Sequence, residues 1–107
     1  LRKPWGIQVI LNKHIPRKNM SWKEVIESTK SGVAKYKHGL NVKELELHAW
    51  HNGQAVTTQG KNYKVFKCDD IIGAKWGKET RYMRVECSAN TIHGHPISEA
   101  EYLKYLK

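Results

Sequence analysis

Residues 80–96 read TRYMRVECSANTIHGHP, and the architecture depends on how this stretch turns back on itself. Met83, Val85 and Cys87 alternate with Tyr82, Arg84 and Glu86, the period-2 pattern of a strand with one buried face. Ser88, Ala89 and Asn90 interrupt the pattern, and TIHGHP resumes it. Segments 80–87 and 91–95 are expected to pair as an antiparallel hairpin, with Pro96 stopping the second strand. His93 and His95 then share a face, because side chains two apart on a strand point the same way.

Their company depends on the turn. With the three residues 88–90 in the loop, Val85 lies opposite His93 and Met83 opposite His95. The histidines would then border a core, with Arg81 as the nearby cation. With an even loop, Glu86 lies opposite His93 and Arg84 opposite His95, and Tyr82 joins them on one surface. A one-residue slip exchanges the two arrangements. Both stay open on the sequence.

Upstream, helix starts are written in one grammar. Ser21 with Glu24, stapled by Met20 and Val25, is a capping box. Ser98 with Glu101, stapled by Ile97 and Tyr102, is another, and Asn41 with Glu44 is a variant. Helices are therefore expected near 22–31, 42–52 and 99–106, the first two stopping at Ser31-Gly32 and Asn52-Gly53. Trp5–Leu11 reads as an opening strand. QAVTTQ and YKVFKC read as strands joined through GKN, with Gly60 and Asn62 free to take positive φ, and DDIIGAKWGKE reads as a loop. The sum is one α+β domain over residues 1–107: an N-terminal strand and helices, a twisted antiparallel sheet of four to five strands, and a short closing helix.

The chain has 107 residues, enough for one core, and 39% of them are hydrophobic. Nineteen Lys and Arg against ten Asp and Glu leave a formal charge of +9. That balance makes a polyanion, nucleic acid before all, the first partner to consider. Cys68 and Cys87 are expected as core thiols; with no CxxC, a zinc ribbon is excluded. No apolar run is long enough to span a bilayer, and WGIQVIL does not make a signal peptide. The start at Leu1 is read as the mark of a processed or excised domain.

Chemistry concentrates in the hairpin. Two imidazoles and an arginine are what metal-free RNA cleavage needs: a base for the 2′-hydroxyl, an acid for the leaving oxygen, a cation for the crowded phosphate. His93 and His95 could instead bind a metal, but zinc wants a third ligand, and Asp69, Asp70, His48 and His51 have no identifying spacing. In HAWH, His48 and His51 read as solvated residues near a helix C-terminus. GAKWGKET is not a P-loop: three residues separate Gly73 from Gly77, and Glu79 follows Lys78. Its Lys75, Trp76, Lys78 and Arg81 still combine cations with an aromatic plate, a mixture that suits splayed nucleic acid. NKHIPRKN is either an RNA-facing arm or a solvated loop.

The closing stretch IIGAKWGKETRYMRVECSANTIHGHPISEAEYLKYLK resembles the end of C-terminal toxin domains from bacterial contact-dependent growth inhibition and related polymorphic toxin systems. The phrase GKET…MRVE…TIHGHPIS carries the resemblance over roughly the last third of the chain, with weaker echoes in KYKHGLNVKELELHAWHNG. The resemblance implies a ribonuclease acting on tRNA without a metal and a cognate immunity protein. It also implies delivery to the cytoplasm of a target bacterium as part of a larger secreted or surface protein, and for some such domains a need for elongation factor Tu. Matched to a nuclease site are His93, His95, Arg84 and the Lys78–Thr80 segment.

The expectation is thus a tRNA-cleaving toxin domain. Its catalytic set is His93, His95, Arg84 and Glu86, its nucleic-acid contacts are Lys75, Trp76, Lys78, Thr80 and Arg81, and it uses no cofactor or metal. The rivals are a non-catalytic nucleic-acid-binding module, a metal-dependent DNase built on His-x-His, and an immunity or adaptor protein for an acidic partner.

Overall fold

The computed structural model describes residues 12–107, so the strand expected at Trp5–Leu11 lies outside the described residues. The fold is α+β. Helix α1 (Trp22–Ser28) leads to strand β1 (Lys35–Tyr36), helix α2 (Val42–Asn52), strands β2 (Gln54–Thr58), β3 (Lys61–Lys67), β4 (Gly73–Lys75), β5 (Lys78–Thr80), β6 (Tyr82–Ser88) and β7 (Thr91–Ile97), and helix α3 (Glu99–Tyr105). The strands divide into two antiparallel sheets, β1-β4-β5 and β2-β3-β6-β7.

The capping grammar is realised. Ser21 and Ser98 each accept from the backbone N–H three residues on, and Glu24 and Glu101 reach back to close both boxes. Asn41 accepts from the Glu44 N–H without the reciprocal bond. Helix α1 stops earlier than Ser31-Gly32: Thr29 is its C-cap and returns its own hydroxyl to the Ile26 carbonyl at 2.7 Å.

The three hairpins among the described residues close on two-residue turns with positive φ at both positions: Gln59 and Gly60, Trp76 and Gly77, Ala89 and Asn90. This backbone twist matches that of the strands. It corrects the sequence reading twice. The first turn does not reach Asn62, which pairs with Thr57 inside the ladder. And the GAKWGKE part of DDIIGAKWGKE is not a loop: with Thr80 it forms the hairpin β4–β5, whose strands are too short to show a period. A third correction concerns Pro96, which pairs with Met83 instead of ending the strand. Among the described strands β7 stands at the edge of its sheet, where a missing N–H is tolerated.

The four-stranded sheet has two unlike faces. Met83 and Val85, both 0% exposed, meet Ala49 of α2 together with Tyr36, Cys68 and Ile72. Cys87 continues that face in sequence but is exposed, because β6 runs past the core there; the two cysteines are free, and only Cys68 is a core thiol. Gly94 also faces α2. A Cβ there would meet the Arg84 carbonyl and stand 2.6 Å from Val85 Cγ1, so the glycine between the histidines is a packing requirement. Its N–H donates to Glu46 Oε2 at 3.0 Å, and the Tyr36 hydroxyl donates to the same oxygen at 2.8 Å. Burial pushes both the Glu46 carboxyl and the Tyr36 phenol up, while the two hydrogen bonds draw Glu46 the other way.

Helix α3 covers part of the opposite face. Tyr105 packs edge-on to Tyr63, Tyr102 lies 4.5 Å from Tyr82, and the Tyr82 hydroxyl bonds Glu99. The small sheet lies along β7, fastened by the Thr80 hydroxyl donating to the Ile97 carbonyl at 2.7 Å. Helix α1 braces the tip of β4–β5: Trp22 donates to Glu79 at 2.7 Å, and the Gly77 N–H donates to the Thr29 hydroxyl at 2.9 Å.

Candidate active site

The two-residue turn at Ala89-Asn90 sets the register. Arg84 lies opposite His95, and Glu86 lies opposite His93. Directly opposed residues share a face, so the even arrangement is the one adopted, and these four side chains project away from α2.

Arg84 is held from two sides. Its guanidinium sits 4.2 Å over the Tyr63 ring and donates to the Tyr105 hydroxyl at 2.9 Å. Glu86 approaches Arg84 at 4.0 Å and His93 at 3.7 Å, with His93 the most exposed of the three. These are loose ion-pair distances, so the group is open to a ligand's charge.

His95 is more enclosed. Its Nδ1 lies 2.9 Å from the Pro96 carbonyl oxygen. A carbonyl only accepts, so Nδ1 carries the proton and Nε2 keeps its lone pair. Burial lowers its pKa to about 4; the Pro96 bond opposes this, and Arg84, His14 and Lys75 add to it. At neutral pH the ring is an uncharged acceptor. Against it stacks His14, ring centroids 5.0 Å apart.

The expected nucleic-acid residues separate on inspection. Trp76 stands at the tip of β4–β5, 57% exposed, with Lys75 Nζ 5.0 Å from its ring. Lys75 also pairs with Glu101 at 3.3 Å. Burial alone would raise the Glu101 carboxyl, but its bonds with Ser98 and the Lys75 charge prevail and hold it low. Lys78 is exposed, and Arg81 donates to the Asp69 carbonyl at 2.8 Å. Thr80 is turned inward: besides donating to Ile97, its oxygen accepts from the Tyr82 N–H. A groove lined by Lys75, Trp76, Lys78, Arg81 and Tyr82 runs on one side of the indole. A second, lined by Trp76, Lys61, Lys104 and Lys107, runs on the other and reaches Arg84. The histidines line neither groove; Arg84 connects them to the second.

Among the described residues, no three His, Cys, Asp or Glu side chains gather as a metal site. His48 turns its ring edge-on to Phe66, on the α2 side of the sheet. Sequence reasoning missed Tyr63, Tyr105 and Lys61, whose only signal was their type, and held His14 only as part of NKHIPRKN, as an RNA-facing arm or a solvated loop. No described helix is long and apolar enough to cross a membrane. No family model, curated protein or solved structure matches this chain.

Proposed function

We propose that this chain is a toxin-type ribonuclease domain that cleaves RNA, tRNA before other substrates, by metal-independent acid–base catalysis. The observation that supports the reading most is the cross-strand pairing of Arg84 with His95 and Glu86 with His93 on one face. His95, uncharged with its Nε2 lone pair unpartnered among the described residues, takes the 2′-hydroxyl proton. Arg84, pre-oriented by Tyr63 and Tyr105, meets the phosphate as its charge grows. A second imidazole protonates the leaving 5′-oxygen, and the one on the same strand is His93. The +9 charge and the lysines around Trp76 draw the RNA in.

In this reading the domain travels on a larger secreted or surface protein and acts in the cytoplasm of a target bacterium. A cognate immunity protein blocks it, and elongation factor Tu is the candidate presenter of tRNA. The test is incubation of the purified chain with tRNA in EDTA. Cleavage leaving 2′,3′-cyclic phosphate ends, lost in a folded His95→Ala variant, is expected. Binding without cleavage, with or without added metal, would favour a nucleic-acid-binding module instead. Cleavage that needs zinc or magnesium would favour a metal-dependent nuclease.

A further inference from the structure

His14 lies 81 positions before His95, on a turn that precedes α1, yet the two rings stack with centroids 5.0 Å apart and planes 28° apart. The two are wired alike. His14 Nδ1 is 2.7 Å from the Ala34 carbonyl oxygen, as His95 Nδ1 is 2.9 Å from that of Pro96. Each carbonyl fixes the proton on Nδ1 and leaves Nε2 as a lone pair.

The surroundings are cationic. Lys13 lies next in the chain, Lys35 comes from β1, Lys75 from β4 and Arg84 from β6. The acidic groups nearby already have partners: Glu101 of α3 pairs with Lys75, and Glu86 of β6 lies between Arg84 and His93. Burial lowers the pKa of His14, the Ala34 bond opposes it, and Lys13, Lys35 and Lys75 lower it further. Such surroundings repel a metal cation and favour an oxyanion. A phosphodiester bound there would offset the lysines and draw a proton onto an imidazole.

We propose that His14 is a catalytic residue of this site, the proton donor to the leaving 5′-oxygen, with His95 as the base. The proposal rests on the ribonuclease reading above and gives the donor's role to His14 in place of His93. In the step, the 2′-oxygen bonds to phosphorus as its proton passes to His95 Nε2. The phosphorus–O5′ bond breaks, its electron pair stays on O5′, and the proton that His14 Nε2 takes from solvent when the phosphodiester binds moves to that oxygen. A 2′,3′-cyclic phosphate and a 5′-hydroxyl result, and a second proton exchange with water restores both rings.

The experiment maps the cut on tRNA, then compares two substrates at that position: natural RNA, and RNA with sulfur replacing the bridging 5′-oxygen. A thiolate leaves without protonation. On natural RNA, His14→Ala and His14→Asn are each expected to lower kcat by about 10²–10³-fold. On the sulfur substrate both should return to within about tenfold of the parent, whereas His95→Ala stays slow on both. Asn at position 14 can still donate toward the Ala34 carbonyl, so recovery of His14→Asn alone on natural RNA would mean a structural role and overturn the proposal. Equal defects on both substrates would overturn it as well. The kcat–pH profile of the parent should fall on its alkaline side as the donor loses its proton, and His14→Asn should lose that limb. If His95→Ala is inactive while His14→Ala matches the parent, only the role of His14 fails; if the parent cleaves no RNA, both readings fail.

Discussion

The two faces of the hairpin β6–β7 obey one alternation and face opposite demands. Toward α2 stand Met83, Val85, Gly94 and Pro96, none with an ionisable side chain and each fitted to a neighbour. Away from it stand Arg84, Glu86, His93 and His95, with loosely spaced charged groups, a ring nitrogen that carries a lone pair and a solvent-facing histidine. The first face holds the second in position. Moving any outer side chain by one residue would require the inner face to repack, so the register that sets Arg84 opposite His95 is held by methyl groups and a missing Cβ on the far side of the sheet, while Tyr63 and Tyr105 orient the guanidinium.

This contrast can be broken from either face. Gly94→Val should do most harm, because it drives carbons into the Arg84 carbonyl and Val85 and disturbs the bond to Glu46; a loss above about 3 kcal/mol is expected in urea unfolding. Met83→Ala should cost about 2–4 kcal/mol by opening a cavity where exposure is now zero, read in the same way.

His95 gives the outer face a pH signature. Its folded pKa, about 4, lies below the ordinary histidine value of 6.5, so the unfolded chain binds the extra proton first. The contribution of His95 to stability is therefore complete above pH ~6.5 and falls away as pH drops toward ~4, by at most about 3 kcal/mol. Thermal melts of parent and His95→Asn across that window should converge as pH falls; parallel curves would refute the linkage.

Arg84→Gln should separate the faces most clearly. Cleavage is expected to drop about 10²-fold, while stability shifts by about 1 kcal/mol, since the change touches Tyr63 and Tyr105 but not the α2 core. The smallest effect should come from the turn. Ala89 has φ of 51°, where a Cβ is disfavoured, so Ala89→Gly should raise stability by about 0.5–1 kcal/mol in the same urea assay, with cleavage unchanged.

How far each part could be read from the chain follows from the range of the forces involved. The helix starts were legible because Ser21, Ser98 and their glutamates act within three residues. β6 and β7 were legible because the alternation from Tyr82 to Glu86 is local. The register was not, since Ala89-Asn90 lacks the glycine that usually marks a two-residue turn, and Ser88 looked like part of the loop. β4–β5 was hidden because three-residue strands carry no period. Pro96 misled because a rule for central strands was applied to a strand that stands at the edge among the described ones.

By itself, then, the sequence determined an α+β chain with capped helices, a basic surface, and His93 and His95 on one side of a strand. Tertiary structure alone decided that Arg84 and Glu86 are their partners, and that His14 closes over His95 from 81 positions away. Backbone patterns record what a residue's near neighbours require, whereas a pairing register and a stacked ring depend on segments meeting in space, which no local periodicity encodes.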